Sequence, residues 1–139
     1  MEVIQNNELL YEESKDVSLV ELNEIKKLSS EMISLCLENG GIGLTAVQVG
    51  VTKKFFVANI RGIWQVFVNP KILSYGKKMN SIEGCLSFKG RKPIKKSRSK
   101  KIKVEYIDLA GNIVNKTFKE LNAIVYQHEF DHTRGICCY

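Results

Sequence analysis

The stretch His128-Glu129-Phe130-Asp131-His132 contains the only two histidines of the chain. On a helix, positions i and i+4 lie one above the other on the same face, so both imidazoles can reach a single ion. Glu129 then lies beside that ion, where its carboxylate can act as a base. The stretch therefore predicts a helix that carries a metal site together with its own base.

The residues around this stretch also favour a helix. Gly135 stands where a C-terminal stop would fall, and apolar residues recur at helical spacing ahead of His128. These apolar positions are Leu121, Ile124 and Val125. We expect an amphipathic helix that begins near Lys119.

Two histidines do not complete a catalytic metal site, because such sites usually take three protein ligands and leave one position for water. With no other histidine, the third ligand must be a thiolate or a carboxylate. The cysteines are Cys36, Cys85, Cys137 and Cys138. Cys36 falls near the apolar stripe of a predicted first helix, so we interpret it as a core residue.

Length and composition indicate one globular domain spanning residues 1–139. Apolar residues make up 44% and charged residues 26%, and no run approaches the roughly 20 apolar residues of a membrane span. The first residues resemble neither a secretory signal nor a transit peptide, so we expect a cytoplasmic protein with no membrane contact. The net charge of +6 suits either an acidic partner or simple solubility.

The first half of the chain predicts an arm, a helix and a tightly placed loop. Residues 1–17 are polar and acidic, and we expect them to lie over the body as an extended arm. Ser18 begins a capping-box pattern, which predicts a helix over about 19–38. Residues 41–50 are too glycine-rich for a helix and too apolar for a solvent loop. Within them, Gln48 is a neutral donor suited to an apolar site.

Aromatic and β-branched residues predict two hairpins. The first joins residues 55–60 to 64–68, and Pro70 is expected to end its second strand or mark an edge. The second joins residues 102–106 to Ile113 and Val114. Between the hairpins, residues 83–87 are predicted to be extended, with a bend at Gly84 that presents a thiol outside any helix.

Residues 89–101 form a dense basic run, which we expect to be exposed. Such a run can bind RNA phosphates through counterion release. It has few interleaved aromatic residues for base stacking, and most charge runs are solvated faces. The basic run therefore suits either RNA binding or a solvated surface.

Three short motifs together resemble the peptide deformylase family. That family shows GΦGΦAAxQ, EGCLS and HEΦDH, where Φ is apolar, and this chain reads GIGLTAVQ, EGCLS and HEFDH. Seventeen of the eighteen motif positions agree. The departure is Thr45, which stands where the family has alanine.

The resemblance implies an α+β fold with antiparallel β-sheets around a central metal-binding helix, together with an N-terminal helix. It implies that Cys85 joins His128 and His132 as the third ligand of one divalent ion. Ferrous iron is the family's ion, while a His₂Cys donor set accepts zinc, nickel or cobalt equally.

The same resemblance implies a catalytic role for three further residues. Glu129 would act as general base and then general acid while a metal-activated water attacks the formyl carbon. Gln48 and the backbone N–H of Leu86 would hold the oxyanion.

The implied substrates are N-formylmethionyl nascent peptides. We expect the backbone of residues 41–48 to pack against the formyl carbon, and Gly43 and Gly84 are candidate substrate-binding residues. The methionine side chain is assigned to an apolar pocket of Ile42 with Ile124 and Val125, which share the helical face of His128. The basic run 89–101 is a candidate for transient ribosome contact.

Two other functions fit part of the sequence. The helix motif also satisfies the H-E-x-x-H pattern of zinc proteases, and Cys138 stands where metzincins place a third histidine. That hypothesis leaves the other two motifs unexplained. The second is a basic RNA-binding module with a structural metal, for which four closed ligands would be expected.

Overall fold

A computed structural model describes all residues from Met1 to Tyr139. Helix α1 spans Leu22–Glu38 and helix α2 spans Glu120–Thr133. The seven strands are β1 (Gly43–Thr45), β2 (Phe55–Ile60), β3 (Ile63–Tyr75), β4 (Lys78–Glu83), β5 (Ile94–Ser99), β6 (Lys101–Ile107) and β7 (Ile113–Lys119). The α+β class is confirmed.

Two antiparallel sheets surround α2. Five strands form one sheet in the order β1-β2-β3-β6-β7, and β4 pairs with β5 in a separate ribbon. Neighbouring strands in both sheets run antiparallel. The two predicted hairpins are the β2–β3 and β6–β7 pairs, and both are confirmed.

The sequence of β2 explains why helices cover both sides of the large sheet. Successive strand residues point to opposite faces. Phe56 and Ala58 belong to a core that includes Tyr126 of α2, whereas Phe55 and Val57 pack in a core with Met32 of α1. Because β2 is apolar on both faces, it lies between two helices. Cys36 is fully buried in the α1 core, as expected.

The arm over residues 1–17 is tied to the body by backbone hydrogen bonds. The N–H of Ile4 donates to the Gln48 carbonyl at 2.8 Å, and the N–H of Asn6 donates to the Ser87 carbonyl at 2.9 Å. Leu10 is fully buried within a 3₁₀ turn. After a second 3₁₀ turn at Leu19–Glu21, α1 begins three residues later than its predicted start near 19.

The prediction that Pro70 would end its strand is wrong. Strand β3 continues to Tyr75, pairing with β2 as far as Val68 and then with β6. A register shift between Val68 and Lys71 places Pro70 in an irregular part of the ladder. At such an irregularity the absence of a proline N–H removes no hydrogen bond between strands, so β3 continues beyond Pro70.

The expectation of an exposed basic run is wrong at one position. Residues 94–99 form β5, and Arg98 is only 6% exposed. Strand alternation turns Arg98 inward, where carboxylates from two other elements face it. The lysines of the run remain exposed or half-buried. Neither helix is long and apolar enough to cross a membrane.

Candidate metal centre and catalytic cleft

Helix α2 occupies the centre of the molecule and is less amphipathic than expected. Tyr126 packs in the core of the large sheet, Glu129 contacts Thr45 of β1 and His132 meets Cys85, and each of the three is nearly or fully buried. Leu121, predicted for the apolar face, is 60% exposed at the edge of a cleft. The helix is covered on most sides because the sheet packs on one face and the β4–β5 ribbon and arm cover others.

Cys85, His128 and His132 meet at this helix. One ligand atom from each lies within 4.8 Å of the other two, and no fourth His, Cys, Asp or Glu joins the group. The Cys85 Sγ is 3.4 Å from His132 Nε2. Atoms that share a tetrahedral ion at about 2.3 and 2.0 Å lie about 3.5 Å apart, so the spacing fits a bound transition metal.

Glu83 sets the orientation of the first histidine. Its Oε1 is 2.8 Å from His128 Nδ1, which assigns the proton to Nδ1 and leaves Nε2 for a cation. Burial lowers the pKa of His128, but Glu129, Cys85 and Glu83 outweigh burial and raise it well above its usual value. The surroundings therefore favour positive charge at this point, which a divalent cation would also supply.

Arg98 connects Glu83 to the metal-binding helix. Its Nε and Nη2 donate to the two Glu83 oxygens at 2.9 and 2.8 Å, and its Nη1 donates to Asp131 Oδ2 at 2.6 Å. Burial raises the pKa of Glu83, but the hydrogen bonds from Arg98 and His128 reverse this and hold it well below its usual range. The sequence did not indicate a role for Arg98, because it stands among lysines of the same charge. Those lysines are exposed or half-buried, whereas the Arg98 side chain points into the protein.

The second histidine is neutral without any carboxylate partner. Burial, with His128 and Arg98 nearby, lowers the pKa of His132 to about 3. Its Nε2 lone pair is therefore available for a cation. The outer nitrogen, Nδ1, lies 3.8 Å from the Cys137 sulfur, a contact that the sequence did not indicate.

Glu129 is held between β1 and the cleft. Its Oε1 accepts a hydrogen bond from the Thr45 hydroxyl at 2.8 Å, and burial raises the pKa of the carboxyl. On the other side, a Cβ added to Gly43 would lie 2.7 Å from Oε2. A side chain at position 43 would therefore push the carboxylate out of this position.

The two candidate oxyanion donors flank the same point. Gln48 is 2% exposed, and its Nε2 lies 3.4 Å from Cys85 Sγ and 3.1 Å from Ser87 Oγ. Leu86 opens a 3₁₀ turn, so the turn itself does not use its N–H. Gln48 Nε2 and the backbone N–H of Leu86 therefore both lie next to Cys85.

A cleft of about 480 Å³ joins these residues. It is lined by Cys85, His128 and Glu129, by Gln48 and Leu86, and by the five residues that sequence reasoning assigned to substrate: Ile42, Gly43, Gly84, Ile124 and Val125. His132 belongs to the metal cluster but is buried and does not line the cleft. The structure thus brings together residues drawn from three separate motifs.

The rival third ligand lies elsewhere. Cys138 is buried but is not part of the three-residue cluster. The metzincin-like arrangement is therefore not formed. The three-ligand cluster also differs from the closed four-ligand site expected for a structural metal.

Comparisons with known sequences agree with this geometry. The family model described as polypeptide deformylase matches residues 2–139. Peptide deformylase 1 of Clostridium perfringens is 40% identical over 117 residues, which cover 82% of this chain and 78% of the relative. The peptide deformylase of Finegoldia magna is 35% identical over 136 residues, covering 96% and 83%.

Solved structures show the same fold. The peptide deformylase from Thermotoga maritima gives a TM-score of 0.92 at 33% identity, over 97% of this chain and 92% of that one. A Met-Ala-Ser-bound class I type b peptide deformylase from Acinetobacter baumannii gives 0.92 at 30%, over 99% and 94%. Because these matches extend over nearly the whole chain, it belongs to the polypeptide deformylase family, the metal-dependent hydrolases that remove the N-formyl group from nascent peptides.

Proposed function

We propose that Glu129 is the general base and then the general acid of deformylation, and that Gln48 and the Leu86 N–H stabilise the oxyanion. The observation that carries this proposal is the convergence of the cysteine-histidine cluster with one buried carboxylate and two donors at a single cleft. Glu129 would accept a proton from the attacking water and return it to the leaving amine. The formyl C–N bond breaks, releasing formate and a free N-terminus.

Cys85, His128 and His132 are the residues proposed to hold the cation. A divalent ion held by these residues would supply Lewis acidity to the attacking water and to the formyl carbonyl. We propose ferrous iron, and the mixed thiolate and imidazole donors also suit zinc, nickel or cobalt. Glu83 and Arg98 would keep His128 in the tautomer that presents Nε2.

The cleft supports formylmethionyl peptides as the substrate. Ile42, Ile124 and Val125 supply an apolar wall for the methionine side chain. Gly43 brings backbone close to the Glu129 carboxylate, and we expect the formyl carbon to lie against this backbone. An acetyl methyl group would collide there or turn the carbonyl away from its donors, each of which is worth about 3 to 4 kcal/mol.

The direct test is to load the metal-free protein with ferrous iron under argon and assay release of free amine from formyl-Met-Ala-Ser. Glu129→Gln should keep metal and fold but lose about 10² to 10⁴ in rate, because glutamine keeps the side-chain volume without the proton acceptor. Near-normal turnover by a metal-replete Glu129→Gln protein would remove Glu129 from the mechanism.

A panel of tripeptides tests the substrate assignment. The kcat/KM should be high for formyl-Met and formyl-norleucine and low for acetyl-Met and formyl-Asp. Norleucine matches the shape and polarity of methionine, whereas aspartate would carry a charge into an apolar pocket. Comparable rates for formyl and acetyl substrates would rule out the steric explanation.

We further propose that the enzyme acts in the cytoplasm, where nascent chains emerge, and that the basic run 89–101 makes transient ribosome contact. Exposed lysines support this, including Lys89, Lys92, Lys95 and Lys100, whereas buried Arg98 is excluded. Cosedimentation with ribosomes should weaken as salt rises and in a Lys95→Glu/Lys100→Glu variant. Binding that is unchanged by both would exclude this surface.

A further inference from the structure

Thr45 is a buried hydroxyl at the end of β1, where the family motif has alanine. It is fully buried, and its Oγ1 lies 2.8 Å from Glu129 Oε1 and 3.1 Å from the Glu129 carbonyl oxygen. The two residues are 84 positions apart, so the contact exists only because β1 packs against α2. None of the functional roles described above uses this hydroxyl.

The hydroxyl is a fixed donor to the carboxylate. A threonine has a single O–H and donates to one acceptor at a time. The carboxylate oxygen is the closer acceptor, and bonds to ionised acceptors are the stronger ones. Threonine is also stiff at χ1, so the donor keeps its direction. Glu129 Oε1 is thereby pinned while Oε2 lies beside Gly43 in the cleft wall.

The backbone of the same residue holds a second functional side chain. The Thr45 N–H donates to Gln48 Oε1 at 2.9 Å. This bond turns Gln48 Nε2 toward Cys85 and Ser87. One residue therefore aligns both the carboxylate and the amide donor, but only the carboxylate contact depends on the side chain.

We propose that Thr45 is a positioning residue that holds the Glu129 carboxylate in its working orientation through its hydroxyl. This inference rests on the proposed role of Glu129. It predicts a defect in turnover and not in substrate binding, since Thr45 itself does not line the cleft.

Valine is the informative replacement. It keeps the shape of threonine and places a methyl group against Oε1, whereas alanine would leave room for a water to replace the hydroxyl. Thr45→Val should lower kcat about tenfold, the equivalent of losing one hydrogen bond to a charged group, with KM within about twofold. Thr45→Ser retains the donor and should restore kcat to within about threefold. Thr52→Val, a half-buried threonine without a side-chain hydrogen bond, is the matched control.

A double-mutant cycle separates this inference from the role of Glu129. If the hydroxyl acts through the carboxylate, Thr45→Val should have little further effect in a metal-replete Glu129→Gln background. An equal loss in both backgrounds would overturn the positioning role, as would equal kcat for the Val and Ser variants. If Glu129→Gln alone keeps normal turnover, the proposed general-base role of Glu129 is wrong. That outcome is distinct from the two outcomes that would overturn the role of Thr45.

A crystal structure gives a readout that does not depend on activity. In Thr45→Val, the Glu129 carboxylate should rotate away from its native position or occupy two orientations, while Thr45→Ser should show the native one. An unchanged, singly oriented carboxylate in the valine variant would also overturn the proposal.

Discussion

At the scale of single residues, the assignment of the third ligand is the most decisive point. The Cys85 sulfur is 3.4 Å from His132 Nε2, while Cys138 lies outside the cluster. We therefore expect Cys85→Ala to lose the bound ion and Cys138→Ala to keep about one ion per chain, since a catalytic site needs three protein ligands. Metal content by mass spectrometry, with folding checked by circular dichroism, measures this. Loss of the ion in Cys138→Ala but not in Cys85→Ala would instead support the protease-like arrangement.

The contacts of Thr45 and Arg98 could not be predicted from the sequence. Thr45 stood out only as a departure from a motif, and its partner Glu129 became visible only in the fold. Arg98 belonged to a run of like charges, and its burial depends on which face of β5 it occupies. A one-residue shift in strand register would have turned it to solvent.

At the scale of elements, Arg98 joins the β4–β5 ribbon to α2. Removing it in Arg98→Met takes the guanidinium away from the buried Glu83 and the partly buried Asp131. We expect a loss of about 3 to 5 kcal/mol in the free energy of unfolding, as for other broken buried pairs. Urea unfolding of the metal-free protein measures it, with Lys95→Met on the same strand as an exposed control.

That control should change the free energy of unfolding by less than about 0.5 kcal/mol, because Lys95 is exposed and makes no ion pair. If Arg98→Met is no more destabilising than Lys95→Met, the ribbon is not held to the helix by this network.

The end of α2 also depends on one glycine. Gly135 has φ +76°, and a Cβ there would lie 2.6 Å from the Tyr11 carbonyl oxygen of the arm. Gly62 has a similar φ of +82° in open space. Both alanine variants carry the left-handed strain, but Gly135→Ala must also displace backbone, which adds about 1 to 3 kcal/mol.

Thermal or urea unfolding of the two alanine variants side by side measures the difference in stability. Equal losses would mean that the arm yields to the added methyl without cost.

At the scale of the whole molecule, the arm closes over the segments that carry both proposed oxyanion donors, Gln48 and Leu86. Gln5 Nε2 donates to the Leu86 carbonyl at 2.7 Å, and the Lys89 N–H donates to Gln5 Oε1 at 3.0 Å. The Ile4 N–H donates a hydrogen bond to the Gln48 carbonyl at 2.8 Å. The arm was expected to lie over the body, but nothing in its sequence indicated that it braces the cleft.

We therefore predict that Gln5→Ala lowers kcat about threefold to tenfold, a fraction of the full loss of an oxyanion donor, because the Leu86 peptide becomes less rigid. Metal content should be unchanged, since Gln5 touches no ligand. Glu2→Ala, an exposed arm residue without a side-chain hydrogen bond, is the control. Equal kcat for both variants would show that the arm covers the cleft without positioning it.

The sequence by itself determined the elements that depend on local periodicity. Helical spacing predicted α2 and placed His128 and His132 on one face, since residues one turn apart share a face, with Glu129 beside them. Alternation and turn residues predicted both hairpins. The motif resemblance supplied Cys85, Gln48 and Leu86, which no spacing rule could have joined to the helix.

Tertiary structure alone decided the contacts that hold these groups in place. Thr45 reaches Glu129 across 84 residues, Gln5 reaches Leu86 across 81, and Arg98 reaches Asp131 across 33. Each contact depends on how two separately formed elements pack. The sequence alone does not indicate whether a polar side chain faces water or a buried partner. Local pattern and motif resemblance together identify the candidate reacting groups, whereas the orientation of these groups depends on packing, because only packing removes the water that would otherwise satisfy their hydrogen bonds.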